Sequence, residues 1–532
     1  MLSKTRLSIL FFITACGSTQ HAPTSVEHAS ERRADDSSAR LAEDTLRFSM
    51  TVIQALNDDG KTPPVSNSYS HQRLLGPRKR LGEPQVHLES ADEYSLLAST
   101  DCSGWLSFVL NTVSPLHQAV LQVQRERDEY NRVYSEGFAL REHRRPWPRA
   151  FVVTQYFRSH DAPATGFELV KSFEDLRPGD IGAYAMGRYA KPSDESRPKP
   201  RDTGHVFIVA GTPSVVDPTI KGYDGRGTLS EDAAKVIAVP VIDSSATVHF
   251  DRDSRKDAHG RYTLPEVRPH SRAKPGGVGT GTIWFALSEE GRVLQRRIGP
   301  HQRYRPVLAR AARLSGTIAL DEGVLDGGGA LPVRVFDNSP AEFGGIAYGD
   351  APVHLTGEGA LRLGSGRLVL NGDNDFSGGV TVQAADLIVD SPTGLGTGDV
   401  AVRGGSMTLH QPAIPDSATL SVVEGLAEGA IRLDFKGRDL VQNLQIGHTM
   451  HRCGTWGGPD SRAMFVDPVF SGKGILELSA KPLESCSEAP EAPSGRRAKR
   501  RNAETRTDDT ASSSSTPTGR SARLGLLRAL GL

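Results

Sequence analysis

The stretch Thr100-Asp101-Cys102-Ser103-Gly104-Trp105, with Leu106, Phe108, Val109 and Leu110 behind it, decides how the first half of this chain folds. The apolar residues recur at helical spacing and Pro115 closes the run, so a helix is expected that begins at Cys102 and is capped by Asp101. A thiol at a helix N-terminus sits among unpaired amides at the positive end of the helix dipole. Both favour the thiolate, which is the nucleophilic form. Ser103 and Gly104 keep the approach to the sulfur small, and with Asp101 and Tyr94 they are candidate substrate-binding residues. The competing reading is that Cys102 is a small buried apolar residue.

Towards the N-terminus, Lys4 and Arg6 precede a short apolar core from Leu7 to Ile13 and then Thr14-Ala15-Cys16. This reads as an export signal, and its core is too short to span a bilayer. Small residues directly before a cysteine resemble the lipobox of bacterial lipoproteins. The resemblance implies lipidation of Cys16, attachment to a membrane through that lipid, and, with Gly17 following, an outer-membrane location. Residues 17–88 are rich in Ser, Asp, Glu, Arg and Pro and read as a flexible linker with one short helix around Leu46 to Leu56. The 532 residues suit about two to four domains. Their 63 basic and 63 acidic side chains carry no global charge that would direct the chain to nucleic acid.

Towards the C-terminus, Leu116 to about Arg145 reads as a charge-laced helical segment, broken by Pro146-Trp147-Pro148. Arg177-Pro178-Gly179-Asp180-Ile181 is a turn into a strand, and Thr203-Gly204-His205-Val206-Phe207-Ile208-Val209 is a strand apolar on both faces, hence central in a sheet. A cysteine nucleophile needs an imidazole to take and return its proton, and a further group to orient that imidazole. His205 at the strand entrance suits the first role. Asp243, after the strand Val236 to Ile242, suits the second, with Asp217 as its competitor. Pro240 places that strand at an edge or a bulge.

Asp-Cys-Ser-Gly on a helix, then Pro-Gly-Asp-Ile, then Gly-His-Val-x-Ile-Val on a strand resemble the NlpC-type cell-wall cysteine peptidases, a bacterial branch of the papain-like fold. The resemblance implies an α+β papain-like domain over residues 89–300. It implies Cys102 as nucleophile, His205 as base and acid, Asp243 as third residue, no cofactor, and peptidoglycan stem peptides as substrate. This chain lacks the aromatic-x-Trp-Gly segment that usually precedes the nucleophile, and Leu116 to Phe157 reads as an insertion. Two alternatives stay open. One is a non-catalytic envelope or adhesion protein with a degenerate papain-like domain; the other is an amidase or acyltransferase of the same fold.

Over residues 315–480 short Val, Leu, Ile and Thr runs alternate with Gly, Asn and Asp turns, which is the texture of stacked rungs. Residues 357–409, with Asn371-Gly372-Asp373-Asn374-Asp375-Phe376-Ser377-Gly378-Gly379 and Leu395-Gly396-Thr397-Gly398-Asp399-Val400, resemble the autotransporter-associated beta-strand repeat. That implies an all-β right-handed parallel β-helix. Cys453 and Cys486 are a candidate disulfide in an exported chain. His448, His451 and Cys453 fit no zinc spacing, so no metal is expected. Residues 487–532 are a disordered tail by composition.

Overall fold

A computed structural model describes residues 26–56, 66–69, 85–87, 97–126, 147–159, 165–186, 204–217, 228–247, 249–250, 253–255, 276–300, 302–321, 325 and 329–480. Cys16, Tyr94, Cys486, the expected export signal and the expected C-terminal tail lie outside the described residues, as do residues 127–145 of the segment expected to be helical.

The described chain is mostly β, with few helices. Helix α1 is Val26–Leu56, α2 Cys102–Val113, α3 Pro115–Glu126 and α4 Ala150–Ser159. The chain expected to be a flexible linker therefore contains a long helix. Leu41, Phe48, Val52 and Leu56 recur on one face of α1 and are buried. The Phe48 ring meets Phe108 of α2 at 5.8 Å and Tyr348 at 5.0 Å. Most of α1 is polar, so composition alone reads it as solvated; only the packing partners reveal its apolar stripe.

Three short strands, β1 (Ser66–Tyr69), β2 (Gln85–His87) and β3 (Leu97–Thr100), form a small sheet that leads into α2. The main sheet uses β4 (Thr165–Val170), β5 (Ile181–Met186), β6 (Gly204–Val209), β7 (Ser214–Val215), β8 (Lys235–Ser245), β9 (Gly277–Leu287), β10 (Val293–Arg297) and β11 (Arg305–Ala319). Its order is β10-β9-β8-β6-β5-β11, and β10 also pairs with β11, so the antiparallel sheet curls back on itself. Tyr184, Phe207, Val239, Val241 and Phe285 fill its inside. Ile181, Ala183, Val206, Ile208 and Ile242 face outward and share a core with α2.

Strand β6 is central, between β5 and β8, as its two apolar faces imply. The edge or bulge expected from Pro240 is not found. Pro240 lies in unbroken register opposite Thr282 of β9, and on its other side it falls where pairing passes from β6 to β7. A missing N–H is tolerated at that changeover, and the Pro240 carbonyl still accepts from Ala210 N at 2.8 Å. In the Pro-Gly-Asp-Ile turn, Asp180 accepts from Arg177 N at 2.8 Å and from Arg313 Nε at 2.9 Å. Gly179 has φ 92°, and a Cβ there would lie 2.6 Å from the Ala42 carbonyl oxygen, so α1 can dock on this turn only beside glycine.

The C-terminal region is a stack of parallel strands in two ladders. Leu361, Val380, Val400 and Leu420 align in one, and Leu368, Leu387, Met407, Ile431 and Phe470 in the other, all buried. Residues about one rung apart also bond sideways, as in Ser406 to Asp386 at 2.8 Å, 20 positions away. Asn374 lies inside the stack, accepting from Leu355 N and donating to Gly394 O. The boundary between the two regions is not sharp. Strand β11 belongs to the curled sheet, yet its end pairs in parallel with His354–Thr356 of the stack. The buried Asn111 of α2 donates to Arg334 O at 3.0 Å and accepts from Phe336 N at 2.5 Å.

Candidate active site

Cys102 is the first residue of α2. Asp101 caps the helix by accepting from Gly104 N at 2.8 Å, and its same oxygen accepts from Ser103 Oγ at 3.0 Å and Trp147 Nε1 at 3.3 Å. Asp101, Ser103 and Gly104, expected to contact substrate, stand at the start of the helix. All three are buried and face one another or Trp147. Gly104 is required by packing, since a Cβ would lie 2.3 Å from Thr100 Oγ1 and 3.0 Å from the Trp147 ring. They hold the helix start that carries the thiol.

His205 opens β6, and its Nε2 lies 2.5 Å from Asp243 Oδ2 near the end of β8. Asp217, the competing partner, is exposed on the surface. Asp243 is reached by more than His205. Arg255 Nη1 donates to its other oxygen at 2.7 Å, and His249 Nε2 lies 2.9 Å from Oδ2. Arg255 is itself held by Asp253, whose Oδ1 accepts from Nε at 2.7 Å and whose Oδ2 accepts from His249 N at 2.9 Å. Burial alone would raise the Asp243 carboxyl, but His249, Arg255 and His205 outweigh it and hold it well below the ordinary carboxylate range. Burial would likewise lower His205; the charges of Cys102, Tyr184 and Asp243 overcome it and raise the imidazole well above its usual value. Burial keeps His249 below its usual value.

With Nε2 directed at Asp243, Nδ1 of His205 is the nitrogen left for a proton from sulfur. Among the described residues no hydrogen bond joins Cys102 to His205. Such bonds commonly form only when substrate closes the site. Ser244 Oγ donates to Thr100 O at 2.8 Å, which pins the end of β8 to the turn before Cys102. His249, Asp253 and Arg255 were missed by sequence reading; the one available signal was the enrichment of Asp, Arg and His after Phe250.

The nitrogens of His205 and His249 and the Asp243 carboxylate lie within 4.8 Å of one another, a spacing a cation could use. Arg255 Nη1 also lies 2.7 Å from Asp243 Oδ1, so the carboxylate already has a cationic partner in this cluster. In the stacked region, His451 is used as a ring against Trp456, 4.2 Å between centroids. Cys453 carries a free thiol, and its expected partner Cys486 lies outside the described residues.

The two ladders meet in the strand Ala360–Leu370, which supplies Leu361 to one and Leu368 to the other. Residues 356–389 match the passenger-associated-transport-repeat. The repeat covers the strands Ala360–Leu370, Val380–Val382 and Ala385–Val389, and it suits an exported, cell-envelope protein. No curated protein and no solved structure matches the chain significantly.

Proposed function

We propose that this chain is an exported cysteine hydrolase of the NlpC-type, papain-like class that cleaves amide bonds in peptidoglycan stem peptides. The observation that carries the reading is the His205–Asp243 pair at 2.5 Å, in a chain that also sets a cysteine, Cys102, at a helix N-terminus. Cys102 Sγ attacks the amide carbonyl, and His205 Nδ1 holds the thiol proton and returns it to the leaving amine. Water then hydrolyses the thioester. Asp243, fixed by Arg255, keeps the imidazole in the required tautomer and stabilises its charged form. An envelope substrate is supported by the transport-associated repeat, which suits an exported protein, and by the signal-like N-terminal sequence; lipidation of Cys16 would tether the enzyme there.

Purified peptidoglycan incubated with the protein should release stem peptides, and Cys102→Ala and His205→Ala should each abolish release. Retained activity in either variant overturns the assignment. A second reading, a papain-like module that binds wall peptides without cutting them, draws on the 6 % exposure of Cys102 and the unformed thiol–imidazole bond. Labelling of Cys102 by iodoacetamide at neutral pH separates the two, because an inert thiol favours binding alone.

A further inference from the structure

Two glycines of β9 are explained by the side chains that cross them. Gly279 and Gly281 stand two residues apart, so they share one face of the sheet, and neither has the left-handed backbone that would itself require glycine. A Cβ at Gly279 would lie 2.7 Å from Arg255 Cγ, and one at Gly281 would lie 2.5 Å from His249 Cβ and 3.1 Å from Arg255 Nη2. These bare positions form a seat for Arg255 and His249. The chain around the seat is tied to the same strand: Phe250 N donates to Thr282 O and Ser254 N to Thr280 O, both at 3.2 Å, and Thr280 N donates to Ser254 Oγ at 2.9 Å.

The seat adjoins the orienting carboxylate. Gly279 is the direct cross-strand partner of Asp243. Over it the Arg255 guanidinium spans two carboxylates, donating from Nη1 to Asp243 Oδ1 and from Nε to Asp253 Oδ1, each at 2.7 Å. Nη1 also reaches Gly277 O at 3.2 Å, and Nη2 lies 2.9 Å from His249 Nδ1 and 3.4 Å from Thr280 O. A planar group held at this many points keeps one orientation. Because it occupies Oδ1, the other oxygen of Asp243 is the one presented to His205 Nε2. Asp243, His249, Asp253 and Arg255 are all buried, so water does not replace these bonds if the guanidinium is displaced.

We infer that Arg255, anchored by Asp253 and His249 on the bare face of β9, is a positioning residue for the proposed hydrolysis: by holding Oδ1 it aims Oδ2 of Asp243 at His205, and turnover depends on that aim. Fixing the carboxylate fixes the imidazole, and with it the direction in which Nδ1 is offered. The inference takes its reaction from the hydrolase reading. What it adds is a seat and an anchor outside the set of Cys102, His205 and Asp243.

Two variants displace the guanidinium in different ways. Arg255→Lys keeps the charge between the carboxylates and loses the planar fork, whereas Gly279→Ala keeps every polar group and pushes Arg255 off its seat. Each should lower kcat for stem-peptide release at least about tenfold while KM stays within about twofold. Each should also shift or broaden the low-field proton NMR signal of the short His205–Asp243 bond, which a residue supporting the fold alone would leave in place. A wild type without that signal, or a folded variant with wild-type kcat or an unmoved signal, overturns the inference. Should Gly279→Ala fail to fold, Arg255→Lys decides alone, because a cation remains between the two buried carboxylates. If the wild type releases no stem peptides, the hydrolase reading fails and the NMR signal decides the positioning of Asp243: moved in Arg255→Lys, it upholds it, and unmoved, it overturns it.

Discussion

The hydroxyl of Ser244 donates to the carbonyl of Thr100 across 2.8 Å, joining residues 144 positions apart. One neighbour of Ser244 is Asp243, and Thr100 stands two residues before Cys102, so this bond sets the orienting carboxylate and the nucleophile in a common frame. Both bonded residues are buried. Ser244→Ala should cost about 1 kcal/mol of stability for the lost bond and the unsatisfied carbonyl. Its effect on kcat/KM for stem-peptide release should be larger, about tenfold, because small displacements of reacting groups are amplified in rate. Parallel thermal melts and kinetics check this: a rate unchanged beside a lowered Tm would mean that the bond supports the fold alone.

Asp243 links stability to acid. Its carboxyl is held well below the ordinary range against the effect of burial, by His249, Arg255 and His205. A depressed carboxyl gives stability that is present above its unfolded value, near 4, and is lost as pH falls through the folded value. Wild-type protein should therefore lose stability progressively below about pH 4, and Asp243→Asn should lack that acid limb while being less stable at neutral pH. The same substitution removes an anion that favours the charged imidazole, so the titration midpoint of His205 should move down. Histidine ring NMR across a pH series reads that shift, and an unmoved midpoint would mean that Asp243 does not govern His205.

A second buried carboxyl works in the opposite sense, in the stacked region. Burial raises Asp439 to about 6, while the amides of Ile414 and Ala413 bond its Oδ2 at 3.1 and 3.0 Å. A raised group stabilises the fold below its unfolded value, near 4, and loses that contribution as pH climbs through about 6. Across this window the loss should be on the order of 3 kcal/mol. Asp439→Asn should flatten the dependence of unfolding on pH between about 4 and 6, measured by denaturant titration at each pH. A wild-type profile already flat there would rule the linkage out.

Much of this protein is local and therefore open to sequence reading. Asp101 caps the helix that Cys102 begins because a short carboxylate reaches the amide three residues on. His205 enters a central strand because the residues after it are apolar on both faces. The rungs are legible because each repeats the spacing of Leu, Val and Gly that stacking demands, and 356–389 carry that pattern most fully. The rest was decided by tertiary structure, where contacts join residues far apart and leave no periodic trace. Asp243 rather than Asp217 meets His205 because the antiparallel pairing of β6 with β8 brings Asp243 alongside, a relation set by register and not by composition. Arg255, His249 and Asp253 surround that carboxylate from a stretch that reads only as charged and polar. Helix α1, polar enough to pass for a tether, is a packed element because Phe48 finds Phe108 of α2 and Tyr348, and Val52 beside it is buried. Periodicity reports what one segment prefers; which buried charges face one another is fixed only when the sheet closes and shuts out water.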